Sequence, residues 1–204
     1  MLKHDNCVYV LLTDTGSIFT HTIKQFTNAP YNHASISFDP FLNEVYSFGR
    51  KKAYNPILAG FVKEDIYHGT FSYFPDTTCA LFKIPVSESQ LSVLRETINI
   101  FLKNKNVYKY NLIGLVGVPL NISYNRKNAY FCSEFVSEVL TKSNIINFNK
   151  DTCLVTPDDF RINFKDSLVY EGPLYEYPLL NKNLYNFKKY RNHLSIRRMV
   201  GWSR

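Results

Sequence analysis

Tyr130-Phe131-Cys132-Ser133-Glu134-Phe135-Val136 is the stretch on which the reading of this 204-residue chain turns. Phe135, Val136, Val139 and Leu140 follow Cys132 at the i+3, i+4, i+7 and i+8 spacing of a buried helical stripe, which places Cys132 at the opening of a helix. A cysteine in a first helical turn sits at the positive end of the helix dipole, among unpaired N–H groups. Both favour the thiolate, the form that attacks carbonyl carbon. Such a nucleophile needs a proton shuttle, and histidine is the usual one. His33 precedes Cys132 by 99 residues, within Asn32-His33-Ala34-Ser35-Ile36. That segment alternates as a half-buried strand, with Ala34, Ile36 and Phe38 on one face and His33, Ser35 and Ser37 on the other. A histidine on a strand and a cysteine at a helix start supply the working half of a thiol-dependent acyl-transfer site.

The order, histidine first and cysteine second, together with Cys132-Ser133-Glu134-Phe135-Val136, resembles the circularly permuted branch of the NlpC-type papain-like hydrolases. The nearest resemblance is to the YiiX/YaeF-like proteins, with lecithin:retinol acyltransferase-like enzymes as relatives. Tyr110-Asn111-Leu112-Ile113-Gly114-Leu115 ahead of the cysteine helix and Thr156-Pro157-Asp158-Asp159-Phe160 after it fit the same pattern, so the resemblance covers roughly residues 5–165. One departure is visible: members of the group often carry Tyr-Asp where this chain has Tyr110-Asn111. The resemblance implies an α+β fold with an antiparallel sheet of about five to six strands packed against helices, the cysteine facing the histidine. It further implies cleavage of amide bonds in peptides, including cell-wall peptides, or of acyl bonds in lipids, with Cys132 as nucleophile and His33 as general base and acid.

In relatives the residue that orients the imidazole is a polar side chain on the strand after the histidine strand. Here that strand offers Glu44, Val45, Tyr46, Ser47 and Phe48. Alternation places Val45 and Ser47 on one face and Glu44, Tyr46 and Phe48 on the other. Position along the strand favours Ser47, while Glu44 is the stronger electrostatic partner. Tyr110, Tyr31 and Glu134 are the candidates for contacts to substrate. Glu134 points about 200° around the helix from Cys132, so it is expected to support the helix start or a neighbouring loop rather than the chemistry. The oxyanion formed on attack would meet the backbone N–H of Cys132, with Tyr110 as a possible second donor. His4, His21, His68 and His193 have no comparable setting and read as structural or surface residues.

Hydrophobic residues make up 45% and charged residues 20%, the proportions of a globular domain. With 15 Tyr and 16 Phe, the chain suits a sheet-rich fold with aromatic groove walls. The amino-terminal apolar run, Cys7 to Leu12, is short and reads as a strand rather than a signal peptide, and no stretch approaches the roughly 20 apolar residues of a membrane-crossing helix. Cys7, Cys79, Cys132 and Cys153 are widely spaced with no metal-ligand pattern, so reduced thiols, a cytoplasmic location and chemistry without metal or cofactor are expected.

The net charge of +7 comes from residues 181–204, which hold Lys182, Lys188, Lys189, Arg191, Arg197, Arg198 and Arg204 and no acid. Without these seven, 17 basic residues stand against 17 acidic ones. Two regions are therefore expected: a hydrolase domain over 1–180 and a basic, aromatic extension over 181–204. The extension reads first as a solvated segment packing its aromatics on the domain, and second as a contact for nucleic acid or an anionic membrane.

Residues 6–13 read as a buried strand, 17–27 as a short helix, 44–48 as a strand and 49–60 as a loop rich in Gly, Lys and Pro. Strands are expected at 70–74 and 78–84. Ser87 and Gln90 have capping-box spacing ahead of the Leu91, Leu94, Ile98, Phe101 and Leu102 stripe. Thr156-Pro157 reads as a helix N-cap with proline at the first helical position, and 168–180 as a last strand or irregular arm. Taken together, a cysteine hydrolase or acyltransferase is the leading expectation. Its rival is a module that keeps the groove but lacks turnover, favoured by the missing carboxylate beside His33.

Overall fold

A computed structural model describes residues 6–16, 29–52, 55–120 and 122–185. The helix expected over 17–27 and most of the basic extension lie outside these residues. The chain is α+β. Its frame is a six-stranded antiparallel sheet in the order β4-β3-β2-β1-β5-β8, from β1 (Cys7–Asp14), β2 (His33–Ser37), β3 (Val45–Lys52), β4 (Asn55–Glu64), β5 (Thr78–Pro85) and β8 (Leu168–Pro173). β6 (Lys109–Tyr110) and β7 (Ala129–Tyr130) form a separate short parallel pair. Four α-helices occur among the described residues: α1 (Glu88–Lys103), α2 (Leu112–Gly117), α3 (Cys132–Lys142) and α4 (Pro157–Asn163).

β1 carries a continuous apolar run because both faces of the sheet are covered where it sits. On one face Val8, Val10, Leu12, Ala34, Ile36 and Phe48 pack with Leu94, Ile98 and Phe101 of α1 and Phe135, Val136 and Val139 of α3. On the other, Leu11, Val45 and Leu81 pack against Ile66, Phe71, Leu174 and Tyr175. The aromatic residues expected on groove walls are largely core: Phe48 lies 5.3 Å from Phe135 and Phe101 lies 4.5 Å from Tyr108, ring centre to ring centre.

Helix α1 opens as its sequence dictates. Ser87 Oγ accepts from Gln90 N at 3.1 Å and Gln90 Oε1 accepts from Ser87 N at 2.9 Å, satisfying two N–H groups that a helix start leaves without partners. We expect Ser87→Ala to lower the unfolding free energy by about 1 kcal/mol, measured by urea denaturation, with the slope of the transition unchanged.

Two local expectations are corrected. Residues 49–60 are not a loop: β3 runs on to Lys52, and β4 opens at Asn55. β4 is an edge strand, where proline costs no ladder hydrogen bond, and this explains how Pro56 sits inside it. Thr70–Tyr73 is a 3-10 turn rather than a strand, buried on Phe71 and Ser72. Tyr185, in the first residues of the basic extension, stacks 6.0 Å from Tyr67 and donates to the Tyr175 carbonyl at 2.9 Å.

Candidate active site

Cys132 is the first residue of α3 and His33 the first residue of β2. α3 packs on β2, and the helix start meets the residue just before the strand start. The Cys132 Sγ lies 4.0 Å from the carbonyl oxygen of Asn32, the residue preceding the histidine. The thiol is 4% exposed.

The imidazole is held by Glu64, at the end of β4. Its Nε2 lies 2.8 Å from Glu64 Oε1, while Ser35 Oγ donates to Glu64 Oε2 at 2.6 Å. Strand register explains the meeting: Ser37 pairs with Val45 and Val45 with Glu64, so Glu64 shares the face that carries Ser35 and His33. Gly49 keeps that face open. A Cβ there would come to 3.4 Å from Glu64 Oε1 and 3.5 Å from His33 Cε1, so a larger side chain would press into the pair. With Nε2 committed to the carboxylate, Nδ1 is the ring nitrogen left for the thiol.

Burial opposes charge on the His33 ring. The Glu64 charge, hydrogen bonds to the Cys132 and Glu64 side chains and the Cys132 charge outweigh it and raise the histidine to about 10. Tyr110 belongs to the same neighbourhood: burial, followed by the nearby charge of Cys132, pushes its phenol well above the usual range. It therefore keeps its proton and can donate. Thr13, cross-strand from His33, and Asn32 each bury one side-chain oxygen, Thr13 Oγ1 and Asn32 Oδ1, with no partner among the described residues.

Ser47 does not hold the imidazole. It lies on the expected face, but its hydroxyl turns back to donate to the Ala34 carbonyl at 2.6 Å. Glu44 faces elsewhere, accepting from the Tyr46 hydroxyl at 3.1 Å and pairing with Arg95 at 3.4 Å. Tyr31 is buried with its hydroxyl committed to Glu171 Oε1 at 2.7 Å, so it offers a substrate nothing. Glu134 is also buried: its Oε2 accepts from Phe131 N at 3.2 Å and from Asn111 Nδ2 at 3.4 Å. Burial raises Glu134 to about 7 despite those two donors. It supports the helix start and does not reach a substrate.

Glu64 escaped the sequence reading because Gly49 to Gly60 looked like loop. The signal was the Phe61-Val62-Lys63-Glu64 run, which ends a strand on a carboxylate. Among the described residues no three His, Cys, Asp or Glu side chains gather to hold a metal ion, and no helix is long and apolar enough to cross a membrane. No family model, curated protein or solved structure matches the chain.

Proposed function

We propose that this protein is a cysteine-dependent hydrolase or acyltransferase with a permuted papain-like arrangement, acting on an amide or ester carbonyl of a peptide or lipid. The observation that carries the reading is the line Cys132, His33, Glu64: a thiol at a helix start, an imidazole beside it, and a carboxylate on the far ring nitrogen. The Cys132 sulfur attacks the carbonyl carbon with His33 already protonated as the imidazolium. His33 then returns its proton to the leaving nitrogen or oxygen, giving a thioester. Water or a second acceptor, deprotonated by His33, attacks the thioester and frees the thiolate. Glu64 stabilises the imidazolium throughout. The Cys132 N–H, which has no acceptor within its helix, and the Tyr110 hydroxyl stabilise the oxyanion. The unpartnered Asn32 oxygen favours a bound group with an N–H to give, since leaving such an atom dry costs about 1–3 kcal/mol.

A groove without turnover was the rival while His33 lacked a carboxylate, and Glu64 removes that ground. The test is alkylation by iodoacetamide at neutral pH, read by mass spectrometry. Cys132 should react at least about tenfold faster than Cys79, whose buried thiol is pushed up to about 12. Equal, slow reaction of the two would mark Cys132 as a packing residue.

A further inference from the structure

The parallel pair β6–β7 is interrupted by one long excursion, residues 111–128, that leaves the domain beside Tyr110 and returns just before Cys132. Ahead of the exposed polar run Ser123 to Lys127, the excursion faces solvent with large aliphatic side chains. Leu112, Ile113, Leu120 and Ile122 are each half exposed or more, Leu120 to 68%. Gly117 folds it compactly: the Ile122 N–H donates to the Gly117 carbonyl at 3.0 Å, and a Cβ at Gly117 would come within 2.8 Å of the Ile122 oxygen. Four large aliphatic side chains held out of the core within eleven residues are an exposed patch of the kind that marks an interaction surface.

Charge defines what the surface fits. From Thr97 to Ser133 the chain holds Lys103, Lys105, Lys109, Arg126 and Lys127 and no acidic residue. Lys109 and Arg126 stand at the base of the excursion, where both strands meet Ala129. Beside it, β6 packs on β4, and a cleft of about 340 Å³ there is lined by Lys51, Lys63 and Lys105 over Phe61 and Val62. Among the described residues none of these three lysines pairs with a carboxylate. Two acids touch the excursion: Asp151 accepts from Ser123 at 2.7 Å at its edge, and the buried Glu134 accepts from Asn111 at 3.4 Å at its start. Exposed aliphatic residues on the excursion with cations around its base match an anionic bilayer, acyl chains beneath charged headgroups. Nucleic acid would call for aromatic stacking faces, and the excursion exposes one, Tyr124, less than any of its four exposed aliphatic side chains.

We infer that residues 111–128 and the surrounding lysines form a docking surface for an anionic lipid bilayer. The inference holds whether or not Cys132 turns over. Because the excursion ends at Tyr130 and Cys132, docking would set the thiol at the membrane boundary.

The test is co-sedimentation of the full chain with phosphatidylcholine vesicles, plain or carrying about one third phosphatidylserine. Binding is expected to the anionic vesicles only, and to fall steeply as salt rises from about 0.1 M to about 1 M. Ile113→Asp with Leu120→Asp should lose binding by at least about tenfold, and Lys109→Glu with Lys127→Glu by about fivefold or more per residue. All four positions are solvent-facing, and thermal unfolding of each variant checks that it folds. A Leu120→Trp, Trp202→Phe chain gives an independent reading: its emission should shift to the blue with anionic vesicles. No binding to either vesicle, or binding that these variants leave intact while deletion of residues 186–204 abolishes it, overturns the proposal. So does salt-sensitive binding to nucleic acid in place of vesicles, or a dimer that Ile113→Asp dissolves while vesicle binding stays absent.

Discussion

Glu64→Gln is expected to slow Cys132-dependent acyl transfer by about a hundredfold or more, followed as release of nitrophenol from an activated ester. The amide still reaches His33 and keeps the ring in place. What it removes is the charge that outweighs burial and raises the histidine to about 10. The wild-type imidazolium should therefore persist up to about pH 10, and an NMR titration of the His33 ring should find its midpoint there. In Glu64→Gln that midpoint should move to lower pH, because the buried ring then gives up its proton more readily. Stability follows the same sign. A histidine raised in the folded state contributes stability that is complete below its ordinary value near 6.5 and is lost as pH rises through about 10. Glu64→Gln should flatten that loss. Ser47→Ala and Glu44→Gln should be nearly silent in turnover, since neither side chain touches the ring. Cys132→Ser is the zero of the scale: ester cleavage should vanish with little change in unfolding temperature. A larger loss from Ser47→Ala than from Glu64→Gln would show that the observed hydrogen bond does not govern the imidazole.

What the sequence made legible is what short-range chemistry specifies. The helix start at Cys132, the Ser87 and Thr156 caps and the alternation around His33 each depend on residues a few positions apart, and each stands where its pattern placed it. Glu64 depends on something else. It lies 31 residues from His33 and reaches it across an intervening strand, through register set at Ser37, Val45 and Glu64 in turn. Nothing local in Phe61-Val62-Lys63-Glu64 announces a partner, and Gly49, Lys51, Lys52 and Pro56 disguise the hairpin that carries it. Ser47 shares the face of His33 but lacks the reach: a hydroxyl one bond from Cβ is captured by the nearest carbonyl, whereas the longer glutamate spans the sheet diagonally. The same limit applies to Tyr31 and Glu134, which have polar atoms near the site in sequence but spend them on Glu171 and on the Phe131 N–H.

Asn111, the departure from a Tyr-Asp pattern, now has a physical account, and replacing it should be costly. Its side chain is fully buried; Oδ1 accepts from Gly114 N at 3.0 Å, while Nδ2 donates to the Tyr124 carbonyl at 3.1 Å and to Glu134 Oε2 at 3.4 Å. Asn111→Asp exchanges that donor for an oxygen, so a carboxylate would face both a carbonyl and a second carboxylate. Glu134 is already raised to about 7 by burial, with the Phe131 N–H and the Asn111 amide holding it down. Removing the amide and adding charge can only raise it further. An acid raised in the folded state contributes stability that is complete below its ordinary value near 4.5 and is lost as pH climbs through the folded value. In the wild type this loss should be over soon after pH 7. In Asn111→Asp it should continue well above pH 7, so that the variant is less stable than the wild type by about 3 kcal/mol at pH 8 and by less near pH 5, where a protonated carboxyl can donate in place of the amide. Urea unfolding across that range reads the difference. A destabilisation that is the same at both pH values would mean that the lost contact to Tyr124, rather than repulsion from Glu134, decides the cost. If Asn111→Asp unfolds like the wild type throughout, the residues around Asn111 rearrange freely, and the helix start that presents Cys132 does not depend on its amide.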